Sequence, residues 1–279
     1  MPIISAYIVP HPPLIIPEIG KGEQLKIQKT IDAMELISRR IAETEPDTVI
    51  FITPHSVSYS DYIHISPGLT AEGNFGRFGA EDVSFGIMYE KKLVSDVTNF
   101  CERNGISAGN MGGDDEPNGL DHGVMVPLYF MNKHFQDYRC LRVSVSSLPC
   151  SEHYKLGMVL ADVCDMFYRN TVVIASGDLS HRLKHDGPYG FSPAGPEFDA
   201  RIQDIVKSGD FSGFMNFTDD ERRSAAECGL LPFVVMAGTL DKKSVRSELL
   251  SYECPFGVGY AVGEFVVNGD DETRCFIEQ

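Results

Sequence analysis

Three apolar runs in this chain each stop at a histidine, and that repetition constrains the fold more than any other feature. In Val172-Val173-Ile174-Ala175-Ser176-Gly177-Asp178-Leu179-Ser180-His181, a β-branched run ends in a small-residue turn, and an Asp and a His follow within one further turn of chain. Ile3 to Val9 runs into Pro10-His11-Pro12-Pro13, and Thr48 to Ile52 runs into Thr53-Pro54-His55. Strands that are continuously apolar are covered on both faces, as in a parallel sheet between helices. In open α/β sheets, ligands bind outside the carboxyl ends of such strands. The pattern predicts a site at those ends, built from histidines carried by different strands.

The rest of the chain fits this frame. Its 279 residues contain no internal repeat, low-complexity tract or linker, so residues 1–279 are read as one domain. The expected fold class is α/β, with a mixed, largely parallel central sheet, helices on both faces and antiparallel edge strands. Ile27, Ile31, Met34 and Ile41 form one stripe of a helix from about Gly22 to Ala42. Further helices are expected around Leu93 to Phe100, from Val124 to about Lys133, from Glu152 to about Phe167, and from about Pro196 to Lys207. Ala225-Ala226-Glu227-Cys228-Gly229 is read as the opening of an apolar helix reaching about Leu240. Tyr62 to Ser66 reads as an antiparallel strand, and Val245 to Tyr252 with Gly259 to Val267 as an antiparallel edge. Gly73 to Gly79, with aromatics between its glycines, is read as a mobile loop, with a lid or pocket wall as its functional alternative. Gly109 to Gly119, rich in Gly, Asp and Asn, is read as loop.

Charge and motifs exclude several function classes. A net charge of −16 argues against a nucleic-acid partner, because phosphate binding needs clustered Lys and Arg. Seven cysteines without a CxxC pair indicate a reducing cytoplasm rather than a disulfide framework or a zinc ribbon. The apolar amino terminus is broken by prolines and has no basic n-region, so it reads as a first strand and not a signal peptide. No apolar run reaches the roughly 20 residues of a membrane helix. Gly105-Ile106-Ser107-Ala108-Gly109 matches a nucleophile-elbow string, but it follows a helix where that motif needs a strand. HExxH and P-loop strings are absent.

The residues that remain point to a metal. His11 and His55, read as following adjacent strands, would form a two-His, one-carboxylate arrangement with one acid from elsewhere, which suits Fe(II). Glu227 is the preferred carboxylate, since a buried Glu is costly unless paired or metal-bound. Asp178, Asp121 and the Cys228 thiolate are its competitors. His122 and His181 also follow loop or strand-end signals and join the same set. His64 reads as a strand-face residue. His134, His153 and His185 read as solvated, with His185 close enough to His181 to line a pocket rim.

Five strings together resemble the catalytic B subunit of class III extradiol ring-cleavage dioxygenases. They are Val9-Pro10-His11-Pro12-Pro13-Leu14, Thr53-Pro54-His55-Ser56, Leu120-Asp121-His122-Gly123, Ser176-Gly177-Asp178-Leu179-Ser180-His181 and Ala226-Glu227-Cys228-Gly229. The resemblance runs from Pro2 to about Val267, and Phe256-Gly257-Val258-Gly259-Tyr260-Ala261 places the chain near the branch associated with AMMECR1-type domains and Memo proteins. It implies a non-haem Fe(II), or zinc or another divalent ion, on the residues matching His11, His55 and Glu227. His181 would match the acid–base histidine, and His122 one that hydrogen-bonds substrate or oxygen. In Memo-type relatives a Cys before Gly takes the ligand position, which makes Cys228 the alternative ligand. The implied activity is cleavage of a catechol-type ring with O2; the alternative is a non-dioxygenase, Memo-like metal-binding protein. The implied partners are a small aromatic substrate, an AMMECR1-type domain, a small helical subunit or a radical enzyme. A cytoplasmic homo-oligomer is expected.

Overall fold

A computed structural model describes residues 2–111 and 119–276. The chain opens with β1 (Ile3–Val9), a helical turn α1 (Pro17–Gly20), the long α2 (Gln28–Thr44), then β2 (Thr48–Ile52) and β3 (Ile63–His64). A hairpin of β4 (Thr70–Phe75) and β5 (Ala80–Met88) leads to α3 (Lys91–Arg103) and β6 (Ala108–Gly109). After these come α4 (His122–Met131), β7 (Arg139–Val143), α5 (Cys150–Phe167) and β8 (Thr171–Ser176). The last part holds α6 (Ala194–Ser208), α7 (Asp219–Ala225), α8 (Leu230–Thr239), β9 (Lys243–Glu253) and β10 (Tyr260–Asp270).

The main sheet has the order β7-β2-β8-β1-β10-β9. Its first four strands are mutually parallel, and β10 runs antiparallel to both β1 and β9. Successive strand residues point to opposite faces, and here both faces are covered. Ile50, Ile52, Val173 and Ala175 pack against α3, α5, α6 and α8, whereas Val49, Phe51, Val172 and Ile174 pack against α2 and α4. Two-sided burial is why those strands read as unbroken apolar runs. The expected α/β class and the antiparallel edge are both present.

Several local expectations are corrected. β8 lies between β1 and β2, so the strands preceding His11 and His55 are not neighbours, and the two histidines meet across the end of β8. The expected antiparallel pairing of Tyr62 to Ser66 is present as a bridge between Ile65 and Val143, while β3 itself pairs parallel with β6. Gly73 to Gly79 belongs to the β4–β5 hairpin, whose tip is a 3-10 turn at Gly76–Phe78. Of the expected loop from Gly109 to Gly119, positions 112–118 lie outside the described residues.

The expected single helix from Ala225 is two helices with a break. Thr218 starts α7 with a capping box, its hydroxyl accepting from Glu221 N–H while the Glu221 carboxylate accepts from Thr218 N–H. Ala226 then takes a left-handed conformation, φ 53°, which ends α7 and releases residues 226–229 from helical geometry. Among the described residues, no helix is long and apolar enough to cross a membrane.

Ile174 is 1% exposed at the centre of the sheet. Ile174→Ala should lower unfolding stability in urea by about 2–5 kcal/mol through the cavity it leaves, with little effect on metal binding at the strand ends.

Candidate metal centre

The site sits where β1, β2 and β8 end. The Pro10-His11-Pro12 turn carries His11, whose backbone N–H donates to Asp178 Oδ1 at 2.9 Å and whose ring Nδ1 lies 2.9 Å from Ser176 Oγ. Both partners belong to the end of β8, so the imidazole is fixed with Nε2 facing away from the sheet. His55 is steadied by its backbone N–H, which donates to Thr53 Oγ1 at 3.2 Å, and its Nε2 lies 3.0 Å from His11 Nε2.

Cys228 completes the cluster, with its Sγ 3.6 Å from His11 Nε2. It arrives there because two backbones touch. A Cβ on Gly177 would stand 2.2 Å from Gly229 Cα, so the contact requires a glycine at 177, and a Cβ on Gly229 would in turn meet the Phe233 ring at 2.5 Å. Across that contact Asp178 N–H donates to Cys228 Sγ at 3.3 Å, and Cys228 N–H donates to Asp178 O at 3.3 Å. The donor atoms of His11, His55 and Cys228 all lie within 4.8 Å of one another. A metal bound at about 2.0–2.1 Å by imidazole and about 2.3 Å by thiolate holds tetrahedral ligand atoms roughly 3.3–3.6 Å apart. The three side chains suit such an ion in chemistry, and the His11–Cys228 pair, at 3.6 Å, already stands at that spacing.

Glu227 is placed elsewhere. Its carboxylate accepts from Arg222 Nε at 2.8 Å and from the N–H of Leu230, the first residue of α8, at 2.7 Å. The structure thus brings Cys228, and not its neighbour, to the two imidazoles. Asp178 and Asp121 support the histidines through hydrogen bonds. Thr53 Oγ1 donates to Asp121 Oδ1 at 2.6 Å, which ties the loop before His55 to the start of α4.

His122 opens α4 and stacks on His55 with ring centroids 4.3 Å apart; its centroid is 5.1 Å from that of His11. Phe78, from the hairpin tip, meets the His122 ring at 5.6 Å. His181 follows β8 by five residues, its ring against Tyr189 at 5.0 Å. A cavity of about 560 Å³, lined by His55, Asn74, Arg77, Phe78, Asp121 and His122, opens beside the cluster. The hairpin therefore supplies one wall of it. A larger cavity, about 750 Å³, is lined by residues including Cys150, Arg222, Arg223 and Glu227 and holds none of the four histidines.

Burial keeps this centre uncharged. It pushes His11 well below the usual imidazole range, and His55, His122 and His181 add repulsion of their own. His55 is lowered mainly by burial, and His122 is pushed down to about 4 by burial and by His55. Burial also lowers His181. The Cys228 thiol is held well above its ordinary value by burial and by the Asp178 carboxylate, which burial itself raises to about 7. Neutral imidazoles are the metal-binding form, whereas the thiol must lose its proton as the ion enters.

Arg142 and Ser176 are contributors that sequence reasoning missed. Arg142 is 1% exposed in the edge strand β7 and reaches Ser66 Oγ at 2.7 Å and Gly119 O at 2.8 Å. Its guanidinium also stands 3.9 Å from Asp121 Oδ2, putting a buried cation behind the start of α4. A charge between Leu141 and Val143 was the available signal. Of the other histidines, His64 is buried in β3, His134 lies 3.1 Å from Glu35, and His185 packs on Phe191. His153, expected to be solvated, is fully buried in α5: its Nδ1 lies 3.0 Å from Pro149 O, and its Nε2 accepts from Ser146 N–H at 3.2 Å.

Comparison with known proteins supplies the ancestry. Residues 5–263 match the family described as the catalytic LigB subunit of aromatic ring-opening dioxygenase. The chain belongs to that family. A Clostridium acetobutylicum protein, CA_C1420, is 37% identical over an alignment of 279 positions that covers 98% of this chain but 60% of that protein, so the present chain spans less than two thirds of its length. The 3,4-dihydroxyphenylacetate 2,3-dioxygenase of Escherichia coli is 27% identical over 231 residues, 76% of this chain and 80% of the enzyme. A MEMO1 family protein of Methanosarcina mazei is 28% identical over 135 residues, 47% of each chain. The chain thus has relatives named as a 2,3-dioxygenase and as a MEMO1 family protein.

Cys228→Ser should release zinc in a chelator-competition titration, whereas Glu227→Gln should retain it and lose stability instead. Since one thiol proton leaves on binding, zinc affinity should rise by about tenfold per pH unit between about pH 7 and 8.5. In Cys228→Ser this slope should vanish.

Proposed function

We propose that this protein is a metal-dependent member of the LigB family in which His11, His55 and Cys228 hold the ion, and His181 and His122 handle protons beside it. The observation that carries the reading is the convergence of two imidazole nitrogens and one sulfur within 4.8 Å of one another, with a further histidine, His122, lining a cavity beside them. A thiolate where the two-His, one-carboxylate set would have an acid shifts the preference from Fe(II) toward softer ions such as zinc and Cu(I). This favours the Memo-like, non-dioxygenase reading.

The bound ion would act as a Lewis acid and template for a hydroxylated substrate. The chain's own residues do the rest. His181, lowered by burial, is neutral near pH 7 and is suited to accept a substrate hydroxyl proton and return it. His122 and Phe78 bound the cavity beside His55, whose volume of about 560 Å³ would admit a six-membered ring. Asp121 and Thr53 keep His55 and His122 in register.

A second reading, extradiol ring cleavage with O2, draws support from the same pair of histidines, from the cavity and from the Escherichia coli relative. One experiment separates the two. Protein loaded with Fe(II) without air, and in parallel with zinc, is exposed to oxygen and a panel of catechols. The expected outcome is retained metal and catechol binding with no yellow ring-opened product and no oxygen uptake. Stoichiometric oxygen uptake with ring opening, lost in His181→Ala, would establish the dioxygenase reading instead. Failure of both metals to bind would sink both.

A further inference from the structure

Residues 177–183 have no regular secondary structure, yet hydrogen bonds hold the segment from several directions. On one flank Leu179 N–H donates to Gly259 O at 2.8 Å, Gly259 N–H donates to Ser180 O at 2.9 Å, and Leu183 N–H donates to Gly257 O at 3.1 Å. On the other, His181 N–H and the Ser180 hydroxyl both donate to Ala225 O, at 3.1 and 2.9 Å. Arg182 N–H donates to Ser180 Oγ at 3.0 Å. The N–H of Ser180, between these two flanks, goes to a carboxylate.

That carboxylate is Asp199 of α6, 1% exposed, whose Oδ1 accepts from Ser180 N–H at 2.8 Å. Its Oδ2 accepts from the Tyr252 hydroxyl of β9 at 2.7 Å. No ion pair to Asp199 exists among the described residues. A buried acid without a cation is costly, and an apolar side chain in that space would cost less. The chain nevertheless makes room for it. A Cβ on Gly259 would stand 2.1 Å from Asp199 Oδ2, so a glycine is required where the carboxylate passes β10's approach. The group links α6, β9 and the loop carrying His181, and it stands one residue from that histidine.

We propose that Asp199 is the positioning residue of His181, gripping the Ser180 amide so that the imidazole is presented at a fixed place beside the metal ligands. This rests on the reading of His181 as a proton-handling group. Tyr252 acts through Asp199, orienting the carboxylate so that Oδ1 faces the loop.

The test is NMR of protein labelled at histidine Cε1, loaded with zinc, with His181→Gln assigning the peak. In Asp199→Ala the His181 cross-peak should move by more than its linewidth and broaden, while the His11 and His55 peaks and zinc affinity stay unchanged. Asp199→Asn keeps an acceptor oxygen for Ser180 N–H and should restore the wild-type position. Tyr252→Phe, which leaves the carboxylate in place, should move the same peak less; it carries the test if Asp199→Ala does not fold. An unmoved His181 peak in a folded Asp199→Ala, or in Tyr252→Phe when only that variant folds, overturns the proposal. So does a shift of all histidine peaks together. Because the readout is not turnover, failure of the proposed chemistry leaves this outcome legible, and failure of this outcome leaves that chemistry standing.

Discussion

The contact between the backbones of Gly177 and Gly229 sets most of what matters in this molecule. It lets the turn after β8 and the turn before α8 lie against each other without side chains between them. Asp178 and Cys228 then exchange hydrogen bonds across the junction, and Asp178 in turn holds the His11 backbone. A sulfur from the last third of the chain and an imidazole from its first dozen residues are therefore located by one close approach. The third candidate ligand atom, on His55, is set from the far side of β8 through Thr53 and Asp121.

Much of this was legible in the residues. Unbroken apolar runs can be stable only where both faces of a strand are covered, so the parallel sheet and the placement of His11, His55 and His181 at its carboxyl end followed from local pattern. Strand order was not legible. Nothing in the runs themselves says that β8 inserts between β1 and β2, because the order is fixed by crossover packing rather than by any one strand. His153 misled for a related reason: polar neighbours in sequence do not reveal that Ser146 and Pro149 provide a partner for each ring nitrogen.

The alternatives at Glu227 and Cys228 mark the sharpest limit. Read as one helix, the stretch from Ala225 places consecutive side chains about 100° apart, and the cost of burying an acid tips the choice toward Glu227. The left-handed Ala226 breaks that periodicity, and a non-glycine residue there has no sequence signature. Once the break exists, Glu227 has its own duties at Arg222 and at the start of α8, and the thiol is left facing the imidazoles. A protein with net charge −16 thereby keeps a centre built from neutral groups, with a buried guanidinium behind it at Arg142.

That break also decides which of two donors of opposite hardness faces inward. The carboxylate and the sulfur stand side by side on a four-residue connection, but the carboxylate is tied to both flanking helices, through Arg222 of α7 and the first N–H of α8. Turning it toward the imidazoles would strip both helices of that tie. The donor set offered to an ion is thereby coupled to where one short helix stops.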